Sequence, residues 1–113
     1  MKTFVLALDL KNNPKLIAEY EEHHKNVWPE ILQSIADSGI IECSIFRISN
    51  RLIMHLTTSD DFSFQNKSKL DANNSKVQEW ETLMWKYQQA IPGYPSNEKW
   101  QLCKEIFNLS NEV

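Results

Sequence analysis

Residues 3 to 10 alternate between two kinds of side chain, and this alternation constrains the fold more than any other feature of the sequence. Phe4, Leu6, Leu8 and Leu10 lie on one side of the pattern, and Thr3, Val5, Ala7 and Asp9 lie on the other. A period of two is typical of a half-buried β-strand. We therefore predict a strand over 3–10 whose large-residue face packs on helices and whose small-residue face needs another partner.

The next segment predicts a helix in two pieces. Asn13 can cap a helix whose first residue is Pro14, and we expect this helix to run to about His24. Trp28-Pro29 then begins the helix again, because proline suits a first helical turn. Gly39 is a natural C-terminal end for the second piece.

The remainder of the chain predicts three further strands and one long helix. Residues 40–48 and 52–57 are rich in β-formers and are separated by Ser49-Asn50-Arg51, which is typical of a hairpin. The polar stretch 59–68 is interpreted as a loop with room for a short helical turn. A helix is predicted over 75–90, ended by Pro92, and a last strand over 100–109.

The resulting order is strand, helix, strand, strand, helix, strand. It predicts an α+β fold of the ferredoxin-like βαββαβ type, with a four-stranded antiparallel sheet and helices on one face. The 113 residues are the size of one domain, so we assign 1–113 to a single domain. A second copy that packs sheet to sheet is the simplest cover for the open face, which predicts a homodimer.

Composition excludes several classes of protein. The net charge of -3 arises from interspersed charges and leaves no basic stripe for nucleic acid. No stretch approaches the roughly 20 apolar residues of a membrane span, and the N-terminus lacks a signal-peptide cleavage site, so we expect a cytoplasmic protein. The two cysteines, Cys43 and Cys103, lie in apolar stretches and are expected to be buried, reduced thiols. The two glycines are too few for a phosphate loop, and no metal-ligand spacing is present.

His24 is the first candidate for acid–base chemistry. It lies four residues after Tyr20 and four before Trp28, near one helical stripe, and an unperturbed histidine titrates near neutral pH. The alternative is a charged histidine that only stabilises a helix C-terminus. His23 projects roughly 100° away around the helix and is expected to be solvated.

Trp80 and Glu81 form the second candidate. Trp80 shares a helical stripe with Val77 and Met84, a pattern that core packing also explains. If Glu81 faced His24, the carboxylate and the imidazole could pass protons to and from one substrate. The alternative is a Glu81 that faces water.

The run from Glu19 to Glu30 resembles the Tyr-x-x-x-His-x-x-x-Trp-Pro-Glu segment of the L-rhamnose mutarotase family. The likeness covers essentially the whole chain, since it continues through Gly39, 44–46, 77–80 with Met84, and 105–109. The resemblance implies a dimeric α+β barrel built from ferredoxin-like subunits.

The resemblance also implies the roles of single residues. His24 matches the family's proton donor and Tyr20 a sugar-binding tyrosine, while the family's Trp-Trp pair falls on Trp80 and Glu81. A further sugar-contacting tyrosine falls on Cys43. Trp28 and Trp100 complete the expected substrate-binding set, and the Glu-Lys-Trp context of Trp100 is more similar to the L-fucose mutarotase branch.

Together these residues imply an isomerase that interconverts the α and β anomers of a 6-deoxy-L-sugar by acid–base ring opening. L-Rhamnose is the first expectation and L-fucose the alternative, with a monosaccharide as the only small-molecule partner and no cofactor or metal. Two other classes stay open. The chain could be a different enzyme on the dimeric α+β-barrel fold, such as a monooxygenase-like one, or a non-catalytic sugar-binding module.

Overall fold

The computed structural model describes residues 1–111. Its elements in chain order are β1 (Lys2–Leu10), α1 (Pro14–His23), α2 (Pro29–Asp37), β2 (Ile40–Ile48), β3 (Arg51–Thr58), α3 (Phe64–Ala72), α4 (Ser75–Trp85), β4 (Gln88–Gln89), β5 (Gln101–Leu102) and a 3₁₀ turn (Leu109–Asn111). The predicted break of the first helix before Pro29 is confirmed. Gly39 ends α2 with φ +96°, a backbone conformation that favours glycine.

The strands form one antiparallel sheet in the order β2-β3-β1-β4. β5 also pairs with β1, so β4 and β5 together occupy the edge position expected for one fourth strand. This is the strand order of the ferredoxin-like fold, and the predicted α+β class is confirmed. The central strand of the sheet is β1, which pairs with β3 over Lys2 to Asp9, all of its length but the last residue.

The large-residue face of β1 carries the hydrophobic core, as the alternation predicts. Leu6, Leu8 and Leu10 are buried, and each of the helices α1 to α4 contributes side chains to the clusters on this side of the sheet. These helix residues include Tyr20 of α1, Ile31 of α2, Phe64 of α3 and Trp80 and Met84 of α4. The helices α1 to α4 therefore pack on one face of the sheet.

The opposite face carries Asp9 of β1 and its cross-strand neighbour Arg51 of β3. Asp9 is only 3% exposed, and its carboxylate accepts hydrogen bonds of 2.7 and 3.2 Å from the Arg51 guanidinium. Phe46 and Ile48 of β2 are 62% and 71% exposed, and the register of β2 against β3 places both on this face. The open face thus combines a neutralised charge pair with exposed apolar side chains.

The prediction of a loop with a short helical turn over 59–68 is correct only for 59–63, because the nine-residue helix α3 begins at Phe64. The Ser63 side chain caps this helix by accepting a hydrogen bond of 3.1 Å from the backbone N–H of Asn66. Phe64 anchors the helix against Phe4, with ring centroids 4.9 Å apart. A single aromatic anchor in a polar segment leaves no helical period in the sequence, which is why the pattern misses the helix.

The predictions for 75–90 and 100–109 are each correct in only part of the range. The helix ends at Trp85, because the backbone N–H of Lys11 donates to the Tyr87 carbonyl (2.8 Å) and draws the chain into the sheet as β4. In 100–109 only Gln101 and Leu102 pair as a strand, followed by one bond of 2.7 Å from the Cys103 N–H to the Val5 carbonyl.

The prediction of buried thiols is also wrong, since Cys43 and Cys103 are both free and exposed. Cys43 lies on the edge strand β2, and Cys103 follows the short strand β5, so each has neighbours on one side only. Among residues 1–111, no helix combines the length and the apolar character needed to cross a membrane.

Candidate active site

The end of α1 supplies the first two side chains of the site. Asn13 fixes the start of the helix, because its side-chain oxygen accepts hydrogen bonds from the N–H groups of Lys15 (3.0 Å) and Leu16 (3.2 Å). Tyr20 lies on the buried side of this helix, and His24 forms its C-terminal cap. The spacing of four residues places the two rings in contact, with centroids 4.4 Å apart.

The half-buried imidazole of His24 is held by a backbone carbonyl. Its Nδ1 lies 2.8 Å from the carbonyl oxygen of Tyr20. A carbonyl oxygen only accepts, so Nδ1 donates and the neutral ring keeps its lone pair on Nε2. Among residues 1–111, Nε2 has no hydrogen-bond partner. The nitrogen that can exchange a proton with a ligand is therefore Nε2.

Two indoles complete an aromatic cluster around His24. Trp28, which precedes α2, lies edge to face with Trp80 of α4 at a centroid distance of 5.1 Å. Trp80 also lies edge to face with His24, at 5.7 Å. Trp80 is buried in the main core cluster and Trp28 packs against it, so the cluster is both core and candidate site wall. Aromatic faces of this kind suit the C–H surfaces of sugars.

Tyr20 is a neutral hydrogen-bonding group in this cluster. The residue is 3% exposed, and its hydroxyl oxygen accepts a hydrogen bond of 3.3 Å from Nε2 of Gln88. Burial is the main reason that the pKa of Tyr20 is raised to about 12. The hydrogen bond from Gln88 lowers this pKa, and the charge of Cys43 raises it. The phenol is consequently protonated at every physiological pH.

Cys43 of β2 also affects Tyr20, because a negative charge on its sulfur raises the pKa of the phenol. It pairs with Leu56 in the sheet register and therefore lies on the helix-covered face. Partial burial raises the pKa of the Cys43 thiol, although the residue as a whole is exposed, while the Lys67 ammonium lowers it. The thiol is the smaller, less polar group that stands where the resemblance implies a tyrosine.

Glu81 binds a lysine. Its carboxylate lies 3.2 Å from Nζ of Lys99, and both side chains are more than a third exposed. Within residues 1–111, Glu81 makes no hydrogen bond with His24. Trp100 follows Lys99 directly in the sequence. It is half-buried and packs against both core clusters. Substrate-binding roles for Glu81, Cys43 and Trp100 stay predictions.

The prediction that His23 is solvated is wrong. His23 is half-buried, and its Nε2 lies 3.2 Å from the hydroxyl of Tyr87, a buried residue just after α4. This contact joins residues 64 positions apart, so no local pattern indicates it. Gln88 is missed for the same reason, because its partner Tyr20 is 68 positions away.

Residues 1–111 bring no group of three or more His, Cys, Asp or Glu side chains together as a metal site. Two surface cavities of about 400 and 480 Å³ lie between α2 and the turn before α4, and both are lined by Ser34, Asp37 and Asn74. Neither contains His24 or the aromatic cluster. The cluster around His24 combines an imidazole with a neutral phenol and two indole rings. An imidazole in such a setting can transfer protons to and from a small polar ligand.

The fold and this cluster define a small protein of ferredoxin-like α+β architecture with an imidazole placed for acid–base chemistry. The sequence model of L-rhamnose mutarotase matches residues 3–109, and the chain belongs to that mutarotase family.

Individual relatives agree with this assignment. The chain is 41% identical to an L-fucose mutarotase of Xanthomonas campestris pv. campestris, over 100% of this chain and 92% of the relative. It is 33% identical to an L-rhamnose mutarotase of Formosa agariphila, over 77% of this chain and 82% of the relative. The crystal structure of L-rhamnose mutarotase FA22100 from Formosa agariphila superposes with a TM-score of 0.71 at 26% identity, covering 96% of this chain and 99% of that one.

Proposed function

We propose that this chain interconverts the α and β anomers of L-fucose, with His24 as the acid–base group. The observation that carries the proposal is the hydrogen bond from His24 Nδ1 to the Tyr20 carbonyl, which leaves Nε2 as the one nitrogen able to exchange a proton. The rings of Tyr20 and Trp80 contact the His24 imidazole, and the ring of Trp28 contacts Trp80. We assign these three residues to sugar binding.

L-Fucose replaces L-rhamnose as the first expectation. The similarity to the L-fucose mutarotase of Xanthomonas campestris extends over the full chain, whereas the L-rhamnose mutarotase of Formosa agariphila is less similar over less of it. Two positions that the resemblance implies also favour L-fucose. Glu81 and Cys43 stand where the rhamnose-type pattern has an indole and a phenol. L-Rhamnose remains the second candidate, supported by the family itself.

The proposed reaction needs one proton donor and one acceptor. The imidazolium form of His24 gives its Nε2 proton to the ring oxygen as the C1–O5 bond breaks, and the anomeric hydroxyl releases its proton to water. The open-chain aldehyde turns about C1–C2, and ring closure reverses both transfers and returns the proton to His24. Positioned acid–base groups contribute roughly 10²- to 10⁴-fold to such steps.

The experiment is saturation-transfer NMR on L-fucose, L-rhamnose, L-galactose and D-glucose with the purified chain. We expect the fastest enzyme-dependent anomer exchange with L-fucose. Faster exchange of L-rhamnose would select the second candidate. Binding of a sugar without exchange would identify a non-catalytic module, and no effect on any sugar would favour a different enzyme on this fold.

We further propose that the chain is a homodimer joined through the open face of its sheet. Phe46 and Ile48 on that face are well exposed, and so are Ile106, Phe107 and Leu109 near the C-terminus. Apolar surface of this extent is costly in a 13.3 kDa monomer. Sedimentation at micromolar concentration is expected to give twice the chain mass, and a 13.3 kDa species alone would contradict the dimer.

A further inference from the structure

Gln88 is a buried polar residue that no part of the acid–base chemistry requires. It is 6% exposed and lies in β4, where it pairs with Leu10 of β1. The preceding residue is held to the same strand, because the Lys11 N–H donates to the Tyr87 carbonyl at 2.8 Å. The Gln88 side chain is therefore presented from a fixed point of the sheet toward α1.

The contact that Gln88 makes determines what the Tyr20 hydroxyl can do. Its amide Nε2 donates to the Tyr20 hydroxyl oxygen across 3.3 Å. A phenol has one hydrogen to donate, and once it accepts from Gln88 that hydrogen points to another acceptor. Because burial keeps Tyr20 protonated, the hydrogen is available at every pH at which the enzyme works.

The residue next to Gln88 strengthens this placement. The Tyr87 hydroxyl contacts Nε2 of His23 at 3.2 Å, and the Tyr87 ring lies edge to face with Tyr20 at 6.2 Å. Adjacent residues thus hold the last turn of α1 from the sheet side at two points. These contacts fix Tyr20 together with the imidazole of His24 that lies against its ring.

We infer that Gln88 is a positioning residue: by donating to the Tyr20 hydroxyl, it directs the phenolic proton toward a hydroxyl of the bound sugar. This inference rests on the proposed mutarotase function. Gln88 touches no substrate itself and acts through Tyr20, so its effect falls on sugar affinity more than on proton transfer by His24.

Substitutions at Gln88 test the inference in the whole chain, with KM and kcat for L-fucose anomer exchange as the readout. Gln88→Met keeps the length of the side chain and removes the donor. We expect KM to rise about three- to tenfold, the usual effect of one neutral hydrogen bond, with kcat within about twofold of wild type. Gln89→Met is the matched control, since Gln89 pairs with Asp9 toward the other face, and it is expected to leave KM unchanged.

Gln88→Glu reverses the hydrogen bond and supplies a signature that a structural role would not produce. Above the pKa of the new carboxyl group, the carboxylate accepts the phenolic proton and turns it away from the sugar. KM is then expected to be higher than in Gln88→Met at neutral pH and to fall as the carboxyl group is protonated and donates again. Wild type is expected to lack this pH dependence of KM.

The Tyr20→Phe background separates positioning from packing. We expect Gln88→Met to add no further rise in KM once the phenolic oxygen is absent. An equal rise of KM in both backgrounds, or no rise in either, would overturn the inference while leaving the mutarotase intact. Absence of sugar exchange by the wild-type chain would instead overturn the proposed function, and the inference with it.

Discussion

Nδ1 of His24 donates a hydrogen bond of 2.8 Å to the carbonyl oxygen of Tyr20, one helical turn earlier in α1. The rings of the same two residues are in contact, with centroids 4.4 Å apart and planes tilted by 39°, so one neighbour fixes both the tautomer and the tilt of the imidazole. The four-residue spacing predicts that the side chains meet. The backbone bond adds a ring orientation in which Nε2 is left for proton exchange.

The raised pKa of Tyr20 predicts a loss of stability at alkaline pH. The folded state keeps the phenolic proton up to about pH 12, whereas the unfolded chain releases it near 10, so the free energy of unfolding falls as pH rises through this window. The fall amounts to at most about 3 kcal/mol for this group. Urea unfolding at pH 9 to 11 is expected to show a smaller fall in Tyr20→Phe than in wild type. Equal falls would contradict the assignment.

Trp80 is expected to be a structural residue as well as a site wall. Trp80→Ala removes the indole that contacts both Trp28 and His24 in the core and is expected to lower the free energy of unfolding by about 3–5 kcal/mol. Trp85→Ala is the control, because Trp85 is only half-buried at the end of the same helix. Chemical denaturation measures both variants, and equal losses would argue against the core role of Trp80.

Glu81→Gln tests whether the carboxylate takes part in proton transfer. Because its partner is Lys99 on the surface, we expect the exchange rate to stay within about twofold of wild type and stability to fall by less than about 1 kcal/mol. A tenfold loss of rate in the NMR assay would assign Glu81 to the chemistry. A second variant, Glu81→Trp, tests the expected role of Glu81 in sugar choice. Its measurement is the order of exchange rates among the four sugars.

His23→Ala is expected to affect stability and to spare the rate. It removes the contact with the Tyr87 hydroxyl, a loss of about 0.5–1.5 kcal/mol for a neutral hydrogen bond. Thermal unfolding and L-fucose exchange are measured on the same sample. A large loss of exchange with unchanged stability would move the acid–base role from His24 to His23.

The parts of the fold that follow from local patterns are those with strong periods or clear breaks. The alternation of 3–10 predicts β1 and its buried face, and Trp28-Pro29 predicts the division between α1 and α2. The sequence pattern misses the helix over Phe64–Ala72 because the inward side of this helix has no apolar stripe. That side includes Lys67 and Asp71, which form a half-buried ion pair of 2.6 Å. The sequence pattern misses β4 and predicts β5 too long, because these two-residue strands exist only through pairing with β1.

The site divides in the same way. His24 and Tyr20 share one helix, so their spacing and the family motif indicate both. The contacts of Gln88 and Lys99 could not be predicted from the sequence. Each residue contacts a partner far away in the sequence, and only the folded chain brings the partners together. The thiols of Cys43 and Cys103 are exposed for a related reason, since burial depends on the strand edge each one occupies.

The central claim is that Nε2 of His24 moves the proton in anomer exchange, and His24→Asn tests it most directly. The substitution removes the titratable ring, while the helix-terminal position contributes only about 0.3–1 kcal/mol to stability, so the fold is expected to persist by circular dichroism. Saturation-transfer NMR with L-fucose is expected to show exchange at least about a hundredfold slower than wild type. Exchange at the wild-type rate by a folded His24→Asn protein would contradict the account.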